Sequence, residues 1–271
     1  MFPTIAGLPT YGLFQTAALV VFFLLVWAYL PRELNDSTDA TSQSFQPPRD
    51  RRLLHALGLT AVYLVCNFVV AKVLYDVRNH PAEFDWTNYF RLQHYWDGGY
   101  WGWPAAFLPA VLAYPFVLRL DRVAIYRAVS LTLPPVLVLQ KTACLAIGCC
   151  TGRPTSLPWG MTFTAESLCP TPWVPVHPVP LYDIAIALAI YGVLLGLDRS
   201  TGGRTLLFPA FVAMYGLNRF ATEFFRPEYE GQLSTRQLLA LGASIAAAAV
   251  VFVFPGVWRR LIGASPANRG Q

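Results

Sequence analysis

The chain has 271 residues, 55% of them hydrophobic and only 13% charged, about half the charge of a soluble domain. With a mean hydropathy of +0.43, this excludes an ordinary water-soluble globule and makes a bilayer the expected solvent. The net charge of +5 is spread over loop arginines, with no compact basic patch interleaved with aromatics, which argues for lipid headgroups and against a nucleic-acid partner.

The opening segment, MFPTIAGLPTYGLFQ, has no positive region ahead of its apolar run, so the first helix is expected to stay in the mature protein. Apolar runs long enough to span hydrocarbon, about 17 to 25 residues, fall at 12–30, 53–75, 100–118, 123–147, 181–197, 205–225 and 236–258. The third holds Pro104, Pro109 and Pro115, and the fourth Pro134 and Pro135. Membrane helices tolerate proline where neighbouring helices satisfy the freed carbonyls. Eight tryptophans cluster near the run ends, as in an interfacial belt. No repeat or linker divides the chain. The expectation is an all-α polytopic membrane protein of about seven transmembrane helices. Residues 1–271 would form a single integral-membrane domain with an outer loop at about 148–180.

Lysine and arginine set the orientation. Twelve of the twenty lie on one set of connections: Arg32, Arg49, Arg51, Arg52, Arg119, Arg122, Arg127, Arg199, Arg204, Arg259, Arg260 and Arg269. Five lie on the other side with the N-terminus, namely Arg78, Arg91, Arg153, Arg226 and Arg236. Lys72, Lys141 and Arg219 fall inside helices. The N-terminus is therefore expected outside and the C-terminus in the cytoplasm. Tyr11, the Asp97-Gly98-Gly99 segment, Gln140, Lys141, the 148–180 loop, His177 and the stretch from Arg219 to Arg226 then share one outer depth.

Lys141 lies roughly 9 Å inside the end of its helix. It either snorkels to the interface or answers a buried partner or wet cavity; Lys72, nearer its helix end, fits snorkelling. Arg219, Glu223 and Arg226, spaced i, i+4, i+7, would share a helix face. They form either a structural bridge or, with the second arginine in excess, a site for an anion such as a lipid phosphate. Arg153 offers another phosphate-binding fork. His177, before a proline at a helix start, is either a structural cap or a base. The cysteines, Cys66, Cys144, Cys149, Cys150 and Cys169, lack the paired CxxC spacing of a zinc site, so no metal or cofactor is expected. Cys149 or Cys150 either packs as a small side chain or bonds to Cys169 in an oxidising space.

Five motifs in order resemble the prolipoprotein diacylglyceryl transferases over nearly the whole chain. Tyr11-Gly12-Leu13 is similar to the family's tyrosine-glycine-leucine, and Asp97-Gly98-Gly99-Tyr100-Trp101-Gly102 stands in place of its His-Gly-Gly segment. Gly148 through Arg153, followed by Pro158-Trp159-Gly160, looks like the signature loop. His177-Pro178-Val179-Pro180-Leu181-Tyr182-Asp183 is similar to its His-Pro-x-Gln-Leu-Tyr-Glu, and Arg219 to Glu223-Phe224-Phe225-Arg226 to its Arg-x-x-x-Glu-Phe-Phe-Arg.

The resemblance implies a bacterial inner-membrane enzyme. It would move the diacylglyceryl group of phosphatidylglycerol to the lipobox cysteine thiol of a prolipoprotein, releasing glycerol phosphate. It also implies phosphate contacts from Arg219 and Lys141 with Arg153 or Arg226 assisting. Glu223 would orient Arg219, Tyr11 would bind the headgroup, His177 would belong to the binding site, and Asp97 would be a base, an ion-pair partner for Lys141 or Arg219, or a solvated cap. Asp97 stands where the family has histidine, Lys141 where it has arginine, Cys144 where it has asparagine and Cys149 where it has an acidic residue. The alternatives are a divergent homologue using another acceptor, its own Cys149 or Cys150 included, and a non-catalytic lipid-binding or transport protein. Against transport, no inverted repeat is visible and the ionisable residues gather at one end rather than the midplane.

Overall fold

A computed structural model of the protein describes residues 4–5, 8–31, 51–70, 73, 106–200, 202–227 and 231–263. Asp97 and its diglycine segment, His94, Lys72, Arg78 and Arg91 lie outside the described residues. A short antiparallel pair, β1 (Thr4–Ile5) and β2 (Leu8–Pro9), places Ile5 opposite Leu8. Helices follow: α1 (Thr10–Tyr29), α2 (Arg52–Leu64), α3 (Leu108–Val117), α4 (Arg122–Ile147), α5 (Val179–Arg199), α6 (Leu207–Glu223), α7 (Thr235–Phe252) and α8 (Pro255–Leu261). Helix α2 continues as a π-helical turn over Val65–Val70, and a 3-10 turn over Gly203–Leu206 leads into α6.

Helices α1, α4, α5 and α7 are long and apolar enough to cross a membrane. The first three match the runs 12–30, 123–147 and 181–197 closely. The run 236–258 is cut instead, with α7 stopping at Phe252 and Pro255 opening α8. The residue before a proline is pushed out of the helical region, and Phe254 accordingly has φ −120° and ψ 38°. Pro134 and Pro135 leave α4 continuous. Residues Ala128 to Leu133, just ahead of them, are fully enclosed, and Thr132 Oγ1 donates to the Ala128 carbonyl at 2.8 Å.

The chain packs as two compact units, one of Val26–Tyr126 and one of Met1–Leu25 with Arg127–Gln271. In the first, Tyr63 meets Phe107 edge-on at 5.5 Å and Tyr126 donates to the Leu112 carbonyl at 2.8 Å. Arg122 lies over the Phe116 ring at 4.2 Å, a cation–π contact.

In the second unit α6 and α7 approach at Gly216, where a side-chain carbon would come within 2.8 Å of the Ala240 carbonyl. Ser244 Oγ donates across the same seam to the Ala213 carbonyl at 2.6 Å. A capping box starts α7: Ser234 Oγ accepts from Gln237 N at 3.2 Å, and Ser234 N donates to Gln237 Oε1 at 2.9 Å, satisfying two otherwise orphaned donors. At one end of this unit Arg127 forks onto Asp198, with contacts of 2.6 and 2.8 Å. The opposite end gathers the starts of α1, α5 and α7 with the ends of α4 and α6.

Candidate functional site

At that second end, four helices bring their charges together. Lys141 Nζ on α4 lies 2.8 Å from Asp183 Oδ2, one turn into α5. Arg219 Nη1 on α6 lies 3.9 Å from the same oxygen. Asn218 Nδ2 donates to Asp183 Oδ1 at 3.0 Å. Arg219 Nη2 donates to Glu223 Oε2 at 3.4 Å, one helical turn on, and Arg236 of α7 reaches Glu223 Oε1 at 3.5 Å. The side chains of Lys141, Asp183, Arg219 and Glu223 are all 15% exposed or less. Charges held so far from water persist because each has an opposite partner. Lys141 therefore answers a buried carboxylate rather than reaching for the interface.

Arg226 departs from the helix face expected for it. Helix α6 ends at Glu223, and a tight turn follows in which Phe225 N donates to Thr222 O at 3.2 Å and Arg226 N to Glu223 O at 3.1 Å. Pro227, next in the chain, cannot continue the helix. Arg226 Nη1 then donates to the Cys150 carbonyl at 2.6 Å, so it serves the loop while Arg219 serves the ion network.

The end of α4 folds back on itself. Gly148 takes a positive φ of 73°; Cys149 N donates to Cys144 O at 3.0 Å and Gly148 N to Leu145 O at 3.3 Å. This is a Schellman turn, whose geometry sets the residue after the glycine against the one five positions earlier. Here those two are Cys149 and Cys144. Cys150 follows with φ 60°, and the sulfur atoms of Cys144, Cys149 and Cys150 all lie within 4.8 Å of one another. Hydrogen bonds from Cys144 and Cys149, helped by the nearby charges of Lys141 and Arg226, hold the Cys150 thiol well below its ordinary pKa. The same thiol contacts push Cys149 up. All five cysteines are free thiols. Cys169 packs with Phe163 and Val176 inside the loop, its sulfur 3.5 Å from Thr151 Oγ1. Tyr11, in the first turn of α1, shares a hydrogen bond with Gln15 and lies within electrostatic reach of the three clustered thiols.

The 148–178 loop is stitched down by main-chain bonds. Gly152 N donates to His177 O at 2.8 Å, His177 N to Arg153 O at 3.0 Å, and Arg153 N to Phe225 O at 2.8 Å. A side-chain carbon at Gly152 would come within 2.5 Å of the Phe225 carbonyl and 2.7 Å of His177 Cβ, so the position requires glycine for close approach. The Arg153 side chain is exposed. The His177 ring packs against Phe225 at 4.9 Å between centroids, and its Nδ1 lies 3.2 Å from the Tyr182 hydroxyl, which accepts from Trp159 Nε1 at 2.9 Å. Burial, and then the Arg153 charge, lower the His177 pKa.

Sequence reasoning passed over Asp183, Asn218 and Arg236. The available signal was the position of Asp183, which closes the His-Pro-x-x-Leu-Tyr segment where the resembling family carries an acid. Its partners at 141 and 219 are too far away in sequence for any spacing rule to connect them.

Together these features define a polytopic helical membrane protein with a buried ionic network and a thiol cluster at one end of its helices. Residues 4–253 match the family model described as prolipoprotein diacylglyceryl transferase, and the chain belongs to that family, a family of transferases. It is 30% identical over 136 residues to the phosphatidylglycerol–prolipoprotein diacylglyceryl transferase of Clostridium tetani, covering 48% of this chain and 53% of that protein. Identity to the protein of the same name from Tropheryma whipplei is 24% over 222 residues, covering 79% and 75% of the two chains. For that of Geobacter sulfurreducens it is 29% over 166 residues, covering 56% and 62%.

Proposed function

We propose that the protein transfers the diacylglyceryl group of phosphatidylglycerol to the lipobox cysteine thiol of a prolipoprotein, with glycerol phosphate as the leaving group. The observation that carries this is the buried Lys141–Asp183–Arg219–Glu223 network. Two cations held at fixed positions in a low-dielectric site are what a departing phosphate requires. Arg219 and Lys141 contact the phosphate, and Arg153 and Arg226 assist from the loop and its seam. Glu223 orients Arg219, and Tyr11 hydrogen-bonds the headgroup. His177 supports binding by fixing the Gly152–Arg153 backbone. Expression in a strain depleted of its own transferase, with labelled phosphatidylglycerol, tests the reading. Growth and label on a lipoprotein are expected. Label on the protein itself would mark its own thiols as the acceptor, and no label on either would sink the transferase reading.

In this reading seven helices span the bacterial inner membrane with the N-terminus outside, so the network faces the outer leaflet. Single cysteines at Glu166 and Ser200, in a chain with its native cysteines replaced by serine, check this in intact spheroplasts. An impermeant thiol reagent is expected to label position 166 and not 200. Equal labelling removes the shared outer depth.

Asp97 takes the part of the base. A carboxylate needs a raised pKa for that task. Asp97→Asn is expected to lose turnover by about 100-fold or more with lipid binding retained, and Asp97→His to recover it through a group of pKa near 6.5. Full transfer by Asp97→Asn at normal expression would remove the base role. A loss that follows folded yield instead would make Asp97 an ion-pair partner.

A further inference from the structure

The roles above leave Cys144, Cys149 and Cys150 unused, although the Schellman turn at the end of α4 assembles them. Four ligands at about 2.3 Å around a tetrahedral ion stand roughly 3.8 Å apart. Three sulfurs within 4.8 Å of one another reach that spacing by small side-chain rotations. The donor set is chemically selective, because thiolates favour soft, closed-shell ions such as zinc(II) over magnesium or calcium. Among the described residues no fourth His, Cys, Asp or Glu joins the group. Three protein ligands with one position open is the catalytic pattern of zinc, whereas structural sites close with four. Cys144 is buried, Cys149 half-buried and Cys150 exposed, so the open side is reached past Cys150. Three thiolates around a divalent ion keep one negative charge, and Arg226 is tied to the same turn by its hydrogen bond to the Cys150 carbonyl.

We propose that Cys144, Cys149 and Cys150 bind a thiophilic closed-shell ion, zinc(II) foremost, whose open fourth position takes the thiol that the transfer reaction alkylates. The ion site stands on geometry alone; the thiol's part in it rests on the transferase reading. A thiol with an unperturbed pKa near 8.5 loses its proton to solvent water on coordination. The bound sulfur then forms a C–S bond to the glycerol carbon of the lipid. That carbon's C–O bond to phosphate breaks, and the electron pair leaves on the phosphate oxygen opposite Lys141 and Arg219. Nothing is oxidised or reduced. The thiols at 144 and 149 stand where the resembling family carries an amide and an acid, and position 97 lacks the histidine. A metal-held nucleophile makes up for the weaker base.

The test titrates chelator-stripped protein in detergent with cadmium(II) and follows sulfur-to-metal charge-transfer absorption. The band is expected to saturate at one ion per chain, to vanish in Cys144→Ser and Cys150→Ser, and to persist in Cys66→Ser and Cys169→Ser. Should Cys144→Ser fail to fold, the exposed Cys150→Ser variant decides the matter. No band, or a band unchanged in Cys150→Ser, overturns the ion site. The cobalt(II)-loaded protein is then mixed with a lipobox peptide and with its serine counterpart. A visible-spectrum shift with the cysteine peptide alone supports thiol ligation, and identical spectra overturn it. Neither measurement requires lipid transfer, so failure of the transferase reading would show separately.

Discussion

Asp183→Ala is expected to give the largest loss of stability of any single change in the site, about 3–5 kcal/mol. Its carboxylate lies against Lys141 at 2.8 Å and Arg219 at 3.9 Å while accepting from Asn218 at 3.0 Å. Removing it strands the Lys141 cation in a place from which water is nearly excluded and deprives Asn218 of an acceptor. An intact buried pair contributes little net stability, because desolvation offsets the Coulomb gain, but a half-broken pair keeps the cost without the gain. Arg219 still has Glu223, so most of the loss comes from Lys141. The double variant Asp183→Ala/Lys141→Met, which removes the stranded charge, should recover much of it. Thermal unfolding in detergent, with folded yield, reads both. A wild-type midpoint for Asp183→Ala would mean that Asp183 does not hold Lys141 in the folded protein.

The largest loss of activity is expected from Arg219→Ala, on the order of 100- to 1000-fold in turnover, the scale for removing a preorganised donor from a developing anion. Arg219→Lys should recover part of this, since it restores the charge without the planar fork. Lys141→Ala should lose at least about tenfold, near 1.4 kcal/mol, whereas Lys72→Ala should stay close to wild type. Arg219→Ala leaves Asp183 paired with Lys141, so its folded yield should hold; that separates a chemical loss from a structural one. Transfer of labelled lipid to a lipobox peptide measures the series. Wild-type turnover in both Arg219→Ala and Lys141→Ala would place the phosphate elsewhere.

Apolar run length located α1, α4 and α5 because bilayer thickness sets helix length directly. It overran at α7, where apolar residues continue past Phe252 and a single proline decides the boundary. Charge spacing found the Arg219–Glu223 pair, since i and i+4 are neighbours on any helix. It misplaced Arg226, because the face argument assumes a helix that in fact stops at Glu223. Asp183 escaped notice because its partners come from α4 and α6. The thiol cluster escaped for another reason: a search for CxxC pairs looks past a cysteine that precedes a helix-ending glycine by four residues and a second that follows it. Read as a helix stop, Cys144 through Cys149 predicts the encounter.

The seam at Gly152 bears on how such a site changes over time. Three main-chain hydrogen bonds join residues 152, 153, 177 and 225, and main-chain bonds do not depend on which side chains the residues carry. Mutational drift around the seam is therefore cheap so long as position 152 stays bare, because the points where Arg153, His177 and Arg226 leave the backbone do not move. A scaffold of this kind can trade an amide and an acid for thiols at its rim without being refolded. New chemistry can then arise one substitution at a time on a platform that still assembles.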